Sequence, residues 1–244
     1  MKIFFLLSLL LVPFASATEK SLGTERDAAV RVQIMLDQKL FGPGFIDGKP
    51  GTFTKRAMAA YNRSKGRDEA DTTIIQAEAD EFVENTYVTT SVPSAAKKFV
   101  NAKLPYKRDL QAKMRALSYR SYYEFMAERY HTSESVLYEL NGKKTTWAAV
   151  PGSTLIVPNV MPFKIEDIRP GRMHKANSRL EKRKVVIDTK EKQIQIFAVP
   201  DTTFVSNGNG LAAGENNYRL VASFPTTPGP VSYTHLTLPT TPYV

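Results

Sequence analysis

The sequence predicts an α+β, multidomain chain: a small three-helix unit over residues 24–82, a strand-helix-helix-strand (βααβ) unit over residues 86–160, and the first strands of an incomplete all-β domain over residues 184–230. Three observations predict it. Ala29, Val32, Leu36 and Leu40 recur at three- and four-residue steps, which draws one apolar stripe along a helix. Two short stripes, Tyr123 to Tyr130 and Val136 to Leu140, lie between strand-like segments at Thr86–Thr90 and Leu155–Val157. Finally, Ile194 and Ile196 alternate with Gln193 and Gln195, the period-two mark of a half-buried strand.

Taken in order, residues 1–17 read as a signal peptide. Lys2 precedes an almost wholly apolar run from Ile3 to Val12, and Ala15-Ser16-Ala17 offers small residues for cleavage before Thr18. The run is too short to span a bilayer comfortably, so no stable membrane span is expected after cleavage. The first helix ends at Phe41-Gly42-Pro43-Gly44. Gly48, Gly51 and Asp47 permit tight turns, and Thr52 or Thr54 is placed to cap the second helix; a third, over Thr73 to Phe82, is implied only by the family resemblance given below, whose expected second turn is replaced here by Arg67-Asp68-Glu69-Ala70-Asp71.

After the strand at Thr86–Thr90, a basic segment to Arg115 says little about its structure. The helix stripe of Tyr123, Met126, Ala127 and Tyr130 breaks at His131-Thr132-Ser133. Ser133 is a natural N-cap for the next helix, and Asn141-Gly142 a natural stop. Residues 161–183 carry Pro162, Pro170, Gly171 and a run of Arg and Lys, and read as a solvated basic linker. The apolar run Val185–Ile187, a charged turn and the alternating Gln193–Phe197 suit a hairpin, and after a Gly- and Asn-rich loop, 206–217, the stretch from Tyr218 to Gly229 supplies another apolar strand closed by a Pro-rich turn.

Composition narrows the function. The chain has 244 residues, 42% hydrophobic and 23% charged, with a net charge of +9 that loses only Lys2 on cleavage. A basic excess attracts anionic polymers of any kind, and export disfavours nucleic acid as the partner. There is no cysteine, so no disulfide and no thiol chemistry arises from these residues. No His, Cys or carboxylate pair has ligand spacing, so neither a metal site nor a cofactor is expected.

Three resemblances add to this reading. The pattern Val32-Gln33 … Gly44-Phe45-Ile46-Asp47-Gly48 … Gly51 … Thr54 … Ala57 … Tyr61 resembles the three-helix peptidoglycan-binding domain of wall enzymes, although Asp47, Gly48, Gly51 and Thr54 read first as residues serving their own loop. The stretch Met126 to Asn141 with Val150 to Pro158 resembles a LysM module, which grips N-acetylglucosamine-containing glycan. The usual Gly-Asp-Thr before its first helix is Arg120-Ser121-Tyr122 here. That resemblance implies a sugar groove bounded by Ser121 and Tyr122 on one side and by the loop carrying Trp147 on the other. Trp147, the single tryptophan, reads either as a turn anchor or as a sugar platform, and Asn141 as a helix-end hydrogen bonder.

The third resemblance lies in Val185-Val186-Ile187-Asp188-Thr189-Lys190 … Gln195-Ile196-Phe197 with Leu220-Val221-Ala222-Ser223-Phe224-Pro225, which looks like the entry to an L,D-transpeptidase catalytic domain. That family cross-links peptidoglycan stem peptides through a cysteine thioester, with His-Gly and Ser-x-Gly-Cys motifs beyond the point where this resemblance stops. The implied partners are peptidoglycan glycan and stem peptides, and the implied location is the periplasm or cell wall. The other reading is a non-catalytic wall-binding protein. From Val231 onward, Ser232-Tyr233-Thr234-His235-Leu236-Thr237-Leu238-Pro239 resembles a reading frame of a transposase adaptor used in sequencing libraries, so residues 231–244 are expected to be read-through.

Overall fold

The computed structural model describes residues 20–168, 177–199 and 218–227. The expected leader (1–17), the loop at 206–217, the tail (231–244) and the centre of the basic linker (169–176, with His174) lie outside the described residues. What is described is mixed α and β, with helices and two small antiparallel sheets.

Helix α1 (Thr24–Gln38) is the central element. Glu25 and Asp27 sit in its first turn, where carboxylates complement the helix dipole. Its middle, from Val32 to Leu36, is buried without interruption, Gln33 included. A one-sided helix would leave a polar face, so this burial means α1 is covered from more than one direction. The expected stripe is therefore too narrow at its centre and too long at its end. Leu40 falls beyond the helix in a left-handed conformation (φ 69°) and is exposed, while Val30 and Ile34 carry the core.

Helix α2 (Thr52–Ser64) and α3 (Thr73–Phe82) complete the bundle, α3 packing along α1. Neither threonine caps α2: Gly51 occupies the cap position and makes no side-chain bond. Thr54 Oγ1 instead donates to the Pro43 carbonyl at 3.1 Å, because it is buried and must find a partner inside. The loop before α2 is knotted around Gln33, whose Oε1 accepts from the Asp47 and Gly48 amides at 3.0 and 2.8 Å. Gly48 has φ +70°, and a Cβ there would meet the Arg26 carbonyl oxygen at 2.8 Å, so only glycine fits. Asp47 and Gly48 thus serve the loop.

Strand β1 (Tyr87–Ser91) pairs antiparallel with β2 (Thr154–Pro158), Tyr87 opposite Pro158 and Ser91 opposite Thr154. Between them the chain forms a 3-10 turn at Ser94–Lys98, a short α4 (Arg108–Gln111), α5 (Tyr122–Arg129), α6 (Glu134–Asn141) and α7 (Lys143–Trp147). The strap from 92 to 121 folds back on α5. Phe99 stacks on Phe125 and Tyr119 meets it edge-on, while the Asn101 amide donates to the Tyr119 carbonyl at 2.7 Å and the Tyr119 amide to the Phe99 carbonyl at 2.8 Å. Fully burying side chains such as Phe125, Leu137 and Leu140 stabilises this unit by about 1.5–3 kcal/mol each.

After β2, Phe163 donates its amide to the Arg129 carbonyl, and Arg129 holds Glu166 with both carboxylate oxygens at 3.0 Å. The described start of the linker is therefore anchored, because a nearly buried guanidinium requires a partner. One helical turn, α8 (Ser178–Glu181), leads into a sheet of order β3 (Lys184–Asp188), β4 (Gln193–Ala198) and β5 (Arg219–Pro225), all antiparallel.

This sheet docks through its polar face. Gln193, Gln195 and Ser223 face Arg56, Ala59 and Ala60 of α2, and Arg56 pairs with Glu191 at 3.2 Å. Ser223 also exchanges backbone bonds with Leu40 and Gly42. On β3, Val185 and Ile187 are 58% and 64% exposed. A single buried cluster runs from Val30 and Tyr61 through Phe125 and Leu137 to Leu220, so the three segments share one core.

Candidate functional site

The first sequence-derived candidate, Ser121, sits at the N-cap of α5, where its Oγ accepts from the Glu124 amide at 3.0 Å. Glu124 reaches back to the Arg120 amide at 2.6 Å. This reciprocal cap follows from the Ser-x-x-Glu spacing and fixes where α5 begins. It also occupies the Ser121 hydroxyl. Tyr122, one position on, is half-buried and packs against the shared core.

Trp147 ends the short α7 rather than lying in an irregular loop, and it is 58% exposed. Its Nε1 donates to the Tyr138 hydroxyl at 2.9 Å, and its ring meets the Tyr138 ring nearly at right angles, centroids 6.4 Å apart. Tyr138 in turn contacts Tyr123 at 5.6 Å. Lys143 places its Nζ 4.5 Å from the indole centroid. Trp147 is thus linked to the start of α5 through Tyr138 and Tyr123, and it is Tyr123, not Tyr122, that faces this corner.

Tyr138 is the hinge of the arrangement. Its hydroxyl accepts from Trp147 and donates to Glu134 Oε2 at 3.4 Å. Burial first, then the Tyr123 hydroxyl, push its pKa up to about 12, so the phenol stays neutral and keeps its proton as a donor. Burial, and then the nearby Glu124 carboxylate, raise the Glu134 pKa. The result is an exposed aromatic plane with polar hydrogens and an ammonium at its margin. Such a surface suits the apolar face and peripheral hydroxyls of a sugar ring.

Sequence reasoning missed Tyr123, Tyr138 and Lys143. The available signal was the helical spacing from Glu134 to Tyr138, which puts the two on one side of α6, off the apolar stripe of Val136, Leu137 and Leu140. Asn141 is structural. Its side chain accepts from the Ile156 amide at 2.7 Å and donates to the Ile156 carbonyl at 2.8 Å, which ties the end of α6 to β2 as a third strand would.

His131 lies at the break between α5 and α6 with φ 52°, and its Nδ1 is 2.9 Å from Asp37 Oδ2 on α1. That carboxylate bond raises the imidazole pKa against the opposing effect of burial. Among the described residues no three His, Cys, Asp or Glu side chains gather as a metal ion would require. Among them, too, no helix is long and apolar enough to cross a membrane.

No family model matches this sequence. A search of curated proteins likewise finds no match.

Proposed function

We propose that this chain is the wall-targeting part of an exported L,D-transpeptidase, and that it recognises peptidoglycan glycan through the corner formed by Tyr123, Tyr138 and Trp147. The observation that carries the binding reading is the indole of Trp147, 58% exposed yet held in place by the Tyr138 hydroxyl. A residue that only anchored a turn would bury its ring; this one presents it. The enzyme reading rests on the resemblance of Val185–Phe197 and Leu220–Pro225 to the entry of that catalytic domain, whose chemistry would be acyl transfer from one stem peptide to an amine on another. The chain contains no cysteine, so the residues present can supply binding but not the thioester step.

The same missing thiol favours a second reading, a wall-binding protein with no catalysis of its own. Two experiments separate these. Cosedimentation of the purified chain with sacculi tests the binding reading: retention is expected, with a loss of roughly fivefold for Trp147→Ala. Equal retention of the variant would remove the aromatic corner from the account. Resequencing the source DNA across the codons for Pro228 to Val244 tests the catalytic one. Continuation into a His-Gly and a Ser-x-Gly-Cys motif is expected for the enzyme, and a genuine tail would leave only the binding protein.

A further inference from the structure

Where the three segments meet, the structure holds a cavity of about 510 Å³ that neither reading above uses. Its wall is made by Phe45 and Phe53 of the helical unit, His131 and Glu128 from the end of α5, Phe163 after β2, and Pro225 at the end of β5. The volume lies in the range of small-molecule sites, which favour such junctions.

The walls are fixed by bonds outside the cavity. Ile46, next to Phe45, is fully buried, and its amide donates to the His131 carbonyl at 2.8 Å while its carbonyl accepts from Thr132 Oγ1 at 2.6 Å. Phe163 is held by its amide bond to Arg129 at 2.7 Å. Phe45 is nevertheless 66% exposed, a large apolar ring on a pinned backbone that the described residues leave mostly uncovered. Leaving that much apolar surface in water is unfavourable, and a ligand ring would cover it.

The charge at the rim selects the ligand. Glu128 is exposed, and among the described residues its carboxylate makes no hydrogen bond or ion pair; its charge acts on the neighbouring His131, whose pKa is raised first by the Asp37 bond and also by Glu128. His131 is neutralised on its other side by Asp37, so the rim is anionic or neutral on a chain whose net charge is +9. An unpaired carboxylate beside apolar rings complements an ammonium group on an apolar carrier and repels a carboxylate.

We propose that this cavity binds a primary ammonium carried on an aromatic or aliphatic group, the apolar part among Phe45, Phe53 and Phe163 and the ammonium against Glu128. The proposal is independent of wall binding. A free arylalkylamine and the amino end of a peptide beginning with an aromatic residue carry the same chemistry.

The test uses the full chain and four probes: phenethylamine, 2-phenylethanol, Phe-Gly-Gly and acetyl-Phe-Gly-Gly. Binding is read from amide shifts of Phe45, Ile46 and Phe163. Phenethylamine is expected to bind roughly fivefold more tightly than the alcohol, the worth of a partly exposed ion pair. Glu128→Gln, an exposed change that spares the core, should erase that preference while leaving alcohol binding intact. Phe163→Ala should weaken both, and Trp147→Ala neither. Phe-Gly-Gly binding better than its acetylated form would identify a peptide end as the source, and binding of phenethylamine alone a free amine. Equal binding of amine and alcohol by the wild type, or an amine preference that survives Glu128→Gln, would overturn the proposal.

Discussion

Tyr138 and Trp147 separate ring from bond at the level of single residues. Tyr138→Phe keeps the aromatic neighbour but removes the acceptor for the indole nitrogen, so sacculus retention should fall by less than for Trp147→Ala, with the fold unchanged by circular dichroism. His131 gives a pH signature. Its folded pKa is raised by Asp37, so this pair's stabilisation is full below the ordinary imidazole value of 6.5 and is lost as the pH climbs through the raised value. The denaturation midpoint should therefore fall on going from mildly acidic to mildly alkaline buffer, and Asp37→Asn should flatten that slope. A steeper slope in the variant would contradict the assignment. Ser121 was legible as a polar residue at a helix start, but its cap role and the partnership of Trp147 with Tyr138 depend on α6 and α7 meeting in space. Sequence spacing alone does not encode that.

The strands show what pattern can and cannot reveal about whole elements. Alternation located β4 and the apolar runs located β3 and β5, since period two is a property of the strand itself. Which face turns inward is set by the neighbour, and α2 receives the face of Gln193, Gln195 and Ser223. Val185 and Ile187 on β3 lie largely exposed among the described residues. Replacing Val185 and Ile187 with threonine should raise soluble yield while changing stability by no more than about 0.5 kcal/mol, as read by chemical denaturation. At the docking line, a Cβ on Gly42 would lie 3.0 Å from Pro225 Cδ and 3.3 Å from Phe224 Cδ1. Gly42→Ala should cost about 1–3 kcal/mol and speed proteolysis within β3 to β5, while leaving α1 to α3 intact.

Across the whole molecule, the sequence suggests separate units, and some boundaries of their elements were readable, as at Ser133 and Gly142 around α6, whereas the cap of α2 falls to Gly51 rather than to a threonine. Their union was not. The bonds joining them, Asp27 to Tyr87 at 2.5 Å, Arg26 to Glu139 at 2.5 Å and Thr132 to Ile46, come from residues that look like ordinary surface positions in one dimension. Because one buried cluster spans α1 and α5, residues 24–160 should unfold in a single calorimetric transition. Thr132→Val leaves the Ile46 carbonyl unpaired in a buried joint and should lower that whole transition, at a cost of about 1–3 kcal/mol. A variant trace that splits into two peaks would show the units to be independent.

The exchange of backbone bonds between Ser223 and the turn at Leu40 and Gly42 also has a mechanical meaning. If the aromatic corner is fastened to a rigid matrix and the far sheet is tugged, the load passes through the shared core and then through this narrow seam. The joint around α1 resists with many buried side chains; the seam resists with the few that β5 adds to that core, Leu220 among them, two amide bonds and a partly exposed ion pair. In a force-extension experiment the seam should rupture first, letting the sheet swing away while the anchored half keeps its grip.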